Sequence, residues 1–135
     1  MYSMPEHKAR PIARRNETAL VENPPGILRA TMAYNDQVVV CHFTMKKGSV
    51  LPLHTHAVAQ NGYVIRGRLR MSRGCGKEFV ADAGTGYCFS PDEEHGAKVL
   101  EDSEVIECFA PLRPDYIVKK SAGPWASMNA SPVLP

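Results

Sequence analysis

Two histidines separated by a single threonine, His54 and His56, stand in the stretch GSVLPLHTHAVAQNGYVIRG, with Gln60 four residues beyond the second and Gly48 and Gly67 at its ends. On an extended strand, residues i and i+2 point to the same face, so these two imidazoles can converge on one divalent cation with little adjustment of the backbone. Two solvated surface histidines give the same pattern, so the company they keep decides between the readings. A third histidine, His95, lies in GTGYCFSPDEEHGAKV, and Gln60 offers a neutral amide oxygen where a carboxylate is the commoner ligand.

A second group of chemically capable residues is Glu107, Phe109 and Arg113 in ECFAPLRPDY. Strand parity puts Glu107 and Phe109 side by side. If their face is interior, Glu107 can act as a general acid or base and the Arg113 fork can receive a substrate carboxylate. If Ile106 and Cys108 face inward instead, Glu107 is solvated and Arg113 makes a surface ion pair. Apolar residues occur at both parities of EVIECFA, so the strand is expected to be buried on both sides, which makes Glu107 conspicuous there.

Short β-rich runs must hold these residues: QVVVCHFTM, YVIRGRLRM, KEFVA, GYCFS, AKVL and EVIECFA, separated by turn signals such as KKGS, SRGCGK, DAGTG and LEDS. This spacing predicts an all-β antiparallel sandwich or barrel rather than βαβ units, with at most a short helix near Thr18–Glu22. Arg66, Arg68 and Arg70 share one parity and read as a wet face or as secondary anion contacts; with regular alternation from an inward Gln60, Arg66 is the best placed of them. His42 is assigned to a polar-lined core or an interface, His7 to the N-terminal arm, and Trp125 to the tail. Tyr63, Tyr87 and Phe89 are expected to pack the barrel, although a tyrosine hydroxyl beside a metal can act as acid or base.

At 135 residues, with 44% hydrophobic and 22% charged residues, the chain has the size and composition of one globular domain. No apolar run approaches the ~20 residues needed to cross a bilayer, and the N-terminus lacks a secretory apolar core, so a cytoplasmic, soluble protein with no membrane partner is expected. A net charge of +2 without a basic, aromatic-interleaved stripe argues against nucleic acid. The four cysteines, Cys41, Cys75, Cys88 and Cys108, form no CxxC pair and are read as reduced thiols.

The histidine stretch resembles the first motif of the cupin superfamily, G-x5-H-x-H-x3-4-E-x6-G, at every position except the glutamate, which is Gln60 here. The second motif, G-x5-P-x-G-x2-H-x3-N, is matched by Gly84 and His95, with Ser90, Asp92 and Val99 in place of the proline, glycine and asparagine. The resemblance covers roughly residues 36 to 118. It implies a jelly-roll β-barrel with one divalent metal ion (Ni, Zn, Fe(II) or Mn) held by His54, His56, Gln60 and His95. Three imidazoles and one oxygen leave positions for water or ligand, as in a catalytic rather than a sealed site. A neutral glutamine leaves the ion's charge at +2, which favours Lewis-acid chemistry and anionic ligands over stabilisation of a higher oxidation state.

The chain is also similar to cupins of pectin and alginate degradation, which open and tautomerise 4,5-unsaturated uronates from a three-histidine, one-glutamine metal site. QNGYVIRG is similar to their EQxGYVLSG, and Glu107-x-Phe109-x3-Arg113 has the spacing of their Asp-x-Phe-x3-Arg run; the His56-to-Gln60 interval is one residue shorter than theirs. The similarity implies a metal-dependent isomerase or lyase on a small sugar acid or related carboxylate, with Glu107 moving the proton, Arg113 holding the carboxylate and Phe109 beside them. A dioxygenase and a non-catalytic small-molecule binder are the alternatives. An N-terminal arm and edge strand (1–35), a barrel (36–118), a C-terminal tail (119–135) and a homodimer joined through edge strands complete the expectation.

Overall fold

A computed structural model describes residues 9–117. His7, Trp125 and the expected tail at 119–135 lie outside them. Eight strands form: β1 (Leu20–Glu22), β2 (Ile27–Tyr34), β3 (Val39–Met45), β4 (Val50–His54), β5 (Ala59–Arg73), β6 (Glu78–Asp82), β7 (Gly86–Phe89) and β8 (His95–Ala110). Every pairing is antiparallel, in the order β1-β2-β3-β8-β5-β6, with β4 added to β8 and β7 to β5. This is the all-β jelly roll expected. No α-helix occurs among the described residues, and no helix there is long and apolar enough to cross a membrane.

The short helix allowed at most near Thr18–Glu22 does not form: a 3-10 turn at Arg15–Glu17 is followed by strand β1, whose register runs Leu20 to Ala30 through Glu22 to Leu28. Too short to bury an apolar stripe as a helix, the segment buries Val21 as an edge strand instead. AKVL and EVIECFA, expected as separate runs, are two parts of the 16-residue β8, because the ladder with β5 continues through LEDS, with Glu101 opposite Arg68 and the following Glu104 opposite Arg66. The long β5 and β8 carry the barrel: β8 pairs with β4 near its start, with β3 near its end, and with β5 along its length.

Alternation locates the core. In β3, Val39, Cys41, Phe43 and Met45 are buried while Val40, His42 and Thr44 are less so. They pack with Val64, Leu69, Met71, Phe89, Val99, Val105 and Phe109 from β5, β7 and β8. Regular alternation fails within β5, where the register with β8 shifts between Val64 and Leu69. Gly67 sits in that irregularity with φ +96°, and a β-carbon there would meet Ser103 Oγ at 2.1 Å and the Asp102 carbonyl oxygen at 2.5 Å. The bulge therefore separates the face of Gln60 from that of Arg66. Arg66 and Arg68 are exposed, 3.4 Å from Glu104 and 3.6 Å from Glu101 respectively, and Arg70 is exposed as well. The solvated-face reading of these arginines is the one observed, and Arg66 does not enter the interior.

Candidate metal centre

β4 ends at His54, β5 begins at Ala59, and β8 begins at His95, so three element boundaries meet at one end of the barrel. His54 pairs directly with His95 across β4 and β8. Among the described residues, His54, His56 and His95 are the one group of three or more His, Cys, Asp or Glu placed to hold a metal, with ligand atoms within 4.8 Å of one another.

Hydrogen bonding orients the rings. Each Nδ1 lies 2.8 Å from a backbone carbonyl two residues away: His54 on Pro52, His56 on Val58 and His95 on Glu93. A carbonyl can only accept, so each Nδ1 carries the proton and each Nε2 presents its lone pair inward. The Nε2 atoms of His56 and His95 lie 2.9 Å and 3.1 Å from Gln60 Oε1. Gln60 turns its amide NH2 away, donating to Glu107 Oε2 at 2.7 Å. His54 Nε2 is buried without a hydrogen-bond partner. Four acceptor atoms thus converge with no donor among them, an arrangement that a cation satisfies and a hydrogen-bond network cannot. The donor set of three imidazoles and an amide oxygen fits a divalent metal, and Lewis acidity is the chemistry such an ion supplies when bound.

The walls are aromatic and acidic. Phe89 stacks on His95 with centroids 4.4 Å apart and 8° between planes, and Phe109 meets His56 edge-on at 5.9 Å. Glu107 and Phe109 point inward, which resolves the parity question: Glu107 is 6% exposed and Phe109 is buried, while Ile106 and Cys108 are only partly covered. Glu107 accepts from Gln60 and from the Tyr87 hydroxyl. Burial pushes its carboxyl pKa above the ordinary value, against the pull of Tyr87, Gln60 and Arg113. Arg113 is also buried; its Nε and Nη2 clasp Asp115 at 3.2 Å and 2.6 Å, and its Nη1 donates to the Tyr116 hydroxyl at 3.2 Å. His42 stands apart from the three clustered histidines, 2.5 Å from Glu104.

Tyr87 is the member that packing arguments undervalue, and a glycine marks it. In register, Gly62 lies between Tyr87 on β7 and Glu107 on β8. The tyrosine ring crosses β5 directly over this glycine, where a β-carbon would meet Tyr87 Cζ at 2.2 Å. Gly62→Ala is therefore expected to displace the ring, break the Tyr87–Glu107 hydrogen bond and lower stability by about 1–3 kcal/mol, read by thermal melting.

The histidines also carry a pH signature. Burial lowers the His95 pKa to about 4, and His54 moves in the same direction for the same cause. The unfolded chain takes a proton on His95 near the ordinary 6.5, so between 6.5 and about 4 it binds more protons than the folded chain. Metal-free protein is accordingly expected to lose stability as pH falls through that window, on the order of 3 kcal/mol from His95 by its lower end. Melting curves of chelator-treated protein across the window check this.

Comparison with known proteins agrees with this architecture. The cupin domain family (Cupin_2) matches residues 41–109, over half of the chain. An RmlC-like cupin from Shewanella frigidimarina is 22% identical, with 82% of this chain and 99% of that chain covered at a TM-score of 0.76. KdgF from Halomonas sp. is 28% identical over 78% of this chain and 99% of its own, with a TM-score of 0.73. A predicted oxalate decarboxylase from Thermotoga maritima is 18% identical, covering 75% and 99% at a TM-score of 0.63. No protein of curated function matches the chain in sequence. The chain belongs to the cupin family. Cupins commonly bind a divalent metal, and the three histidines are placed to coordinate one.

Proposed function

We propose that the chain is a divalent-metal-dependent isomerase or lyase acting on a small sugar acid or related carboxylate, with ring opening and tautomerisation of an unsaturated uronate as the representative reaction. The observation that carries this reading is the Gln60–Glu107 hydrogen bond: a neutral ligand leaves the ion's charge undiminished, and the nearest carboxylate is held one position back, where it can move protons. The similarity to uronate-ketonising cupins supplies the substrate class, and the likeness to KdgF at 28% identity accords with a fold and site of this kind.

In this reaction the anomeric hydroxyl loses a proton, the bond between the anomeric carbon and the ring oxygen breaks, and its electrons pass into an enolate that takes a proton at C4. Atoms balance without an oxidant. Glu107 accepts the first proton and returns one to C4, and Tyr87 steadies the carboxylate between those events. Arg113 holds the uronate carboxylate, and Phe109 packs the sugar face beside His56. His54, His56, Gln60 and His95 would hold a divalent ion such as Ni, Zn, Fe(II) or Mn, which would supply Lewis acidity toward a substrate oxygen.

The test is to incubate metal-loaded protein with an unsaturated uronate, with and without oxygen. Loss of the conjugated double bond's ultraviolet absorbance in both atmospheres is the expected result. Oxygen consumption coupled to turnover would replace this reading with a dioxygenase. Saturable binding with no spectral change would replace it with a small-molecule binder.

A further inference from the structure

Behind Phe109 lies a buried cation that the proposed chemistry leaves unused. Arg29 extends inward from β2 and is 3% exposed. Its Nε donates to Thr31 Oγ1 at 3.3 Å, one of five N–H donors spent, and its guanidinium lies 3.9 Å from the centre of the Tyr116 ring. No carboxylate pairs with it among the described residues. Its neighbours cannot serve as counter-ions. Burial pushes the Cys41 thiol up to about 12 and raises the Tyr116 phenol as well, so both stay neutral. An unpaired buried charge is a heavy cost for a fold to carry without a use.

The position of this cation is informative. Arg113 lies 4.1 Å from the centre of the same Tyr116 ring and clasps Asp115. The Asp115 carboxylate acts electrostatically on Arg29 as well, so it sits within the field of both guanidiniums. Asp115 is partly exposed where Arg113 is buried, as expected of an acid at the rim of the site. Tyr116 meets Phe109 edge-on at 5.1 Å, and Phe109 meets His56, so a chain of ring contacts connects the two arginines to the histidines.

We propose that Arg29 is the second arm of a carboxylate receptor: together with Arg113 it takes the carboxylate of a ligand in the lumen, displacing Asp115, which holds the place in the ligand's absence. The inference rests on the carboxylate-ligand reading above and adds a residue and a competitor to it. A carboxylate has two oxygens and can accept from two guanidiniums at once, which gives Arg29 the charge-assisted hydrogen bonds it lacks.

The test uses the full chain, with bound metal measured in every sample, and galacturonate as probe against galactose and inorganic phosphate. Galacturonate is expected to raise the melting temperature of the wild type and galactose is not. Arg29→Met is expected to bind galacturonate at least about tenfold more weakly, to keep its metal, and to melt no lower than the wild type in buffer, because an unpaired buried cation has been removed. Arg29→Lys keeps the charge without the fork and is expected to fold with weakened binding. Asp115→Asn removes the competitor and is expected to bind galacturonate more tightly. Unchanged galacturonate affinity in Arg29→Met, or a lower melting temperature with the full galacturonate-induced rise retained, would make Arg29 only a clamp on Tyr116 and overturn the proposal. Absence of galacturonate binding by the wild type, or equal protection by phosphate, overturns it also. Loss of metal binding with Arg29-dependent galacturonate binding intact would instead sink the metalloenzyme reading alone.

Discussion

Alanine at both His54 and His56 is expected to abolish stoichiometric metal binding. The wild type should carry about one divalent ion per chain by elemental mass spectrometry, and the double variant none. Two of the four converging acceptors are removed, and the remaining pair, His95 Nε2 and Gln60 Oε1, lie 3.1 Å apart as a two-point site too weak to retain an ion through purification. The apo fold should survive, because neither histidine belongs to the packed core and both are partly accessible. In the metal-free double variant the repulsion between inward lone pairs is relieved, so its melting temperature should match or exceed that of chelator-treated wild type. If the wild type binds none of Ni, Zn, Fe(II) or Mn, the convergence of acceptors has another explanation and the proposed chemistry falls with it.

The convergence of the candidate ligands is legible in the sequence because its signals are local. His54 and His56 share a strand face by simple parity, and the interval to Gln60 is fixed along the chain. His95 is farther away in sequence, but it sits at a strand start and pairs with His54 in register. The second motif is degenerate in its letters, yet one departure is physically minor: Asp92, in the glycine position, adopts φ +63°, a conformation that aspartate tolerates better than most residues, and its N–H braces the His56 carbonyl at 2.8 Å.

What parity does not reach lies where alternation breaks or where contact is made between distant strands. A regular β5 would turn Arg66 into the interior; the irregularity around Gly67 turns it out, and nothing short of the Ser103 backbone crowding that glycine reveals where the bulge falls. Parity alone balances an inward Glu107 against an inward Ile106, because both faces of β8 are apolar enough to be covered. The Tyr116 ring that joins Arg29 to Arg113 is a contact across 87 residues from β2 to the turn after β8, as is the hydrogen bond from Thr31 Oγ1 to the Tyr116 carbonyl, which is separated by 85. Such pairings depend on the closed barrel, and no local spacing encodes them.

Glu107→Gln is the substitution expected to separate chemistry from architecture. Glutamine has the shape of glutamate and retains an oxygen to accept from Tyr87 and Gln60, but it cannot take up and release a proton at neutral pH. Removal of a positioned general base costs roughly 10²–10⁴-fold, so turnover of an unsaturated uronate should fall by that factor. Metal content should be unchanged, because Gln60 still directs its oxygen toward the histidines. Stability should hold or rise, since a carboxylate whose ionisation burial opposes has been replaced by a neutral group. A drop in turnover with loss of metal would show that Glu107 acts only by orienting Gln60, making it a positioning residue. Full turnover with full metal would leave proton transfer to another group, with Tyr87, on the opposite side of Gly62, as the next residue to replace.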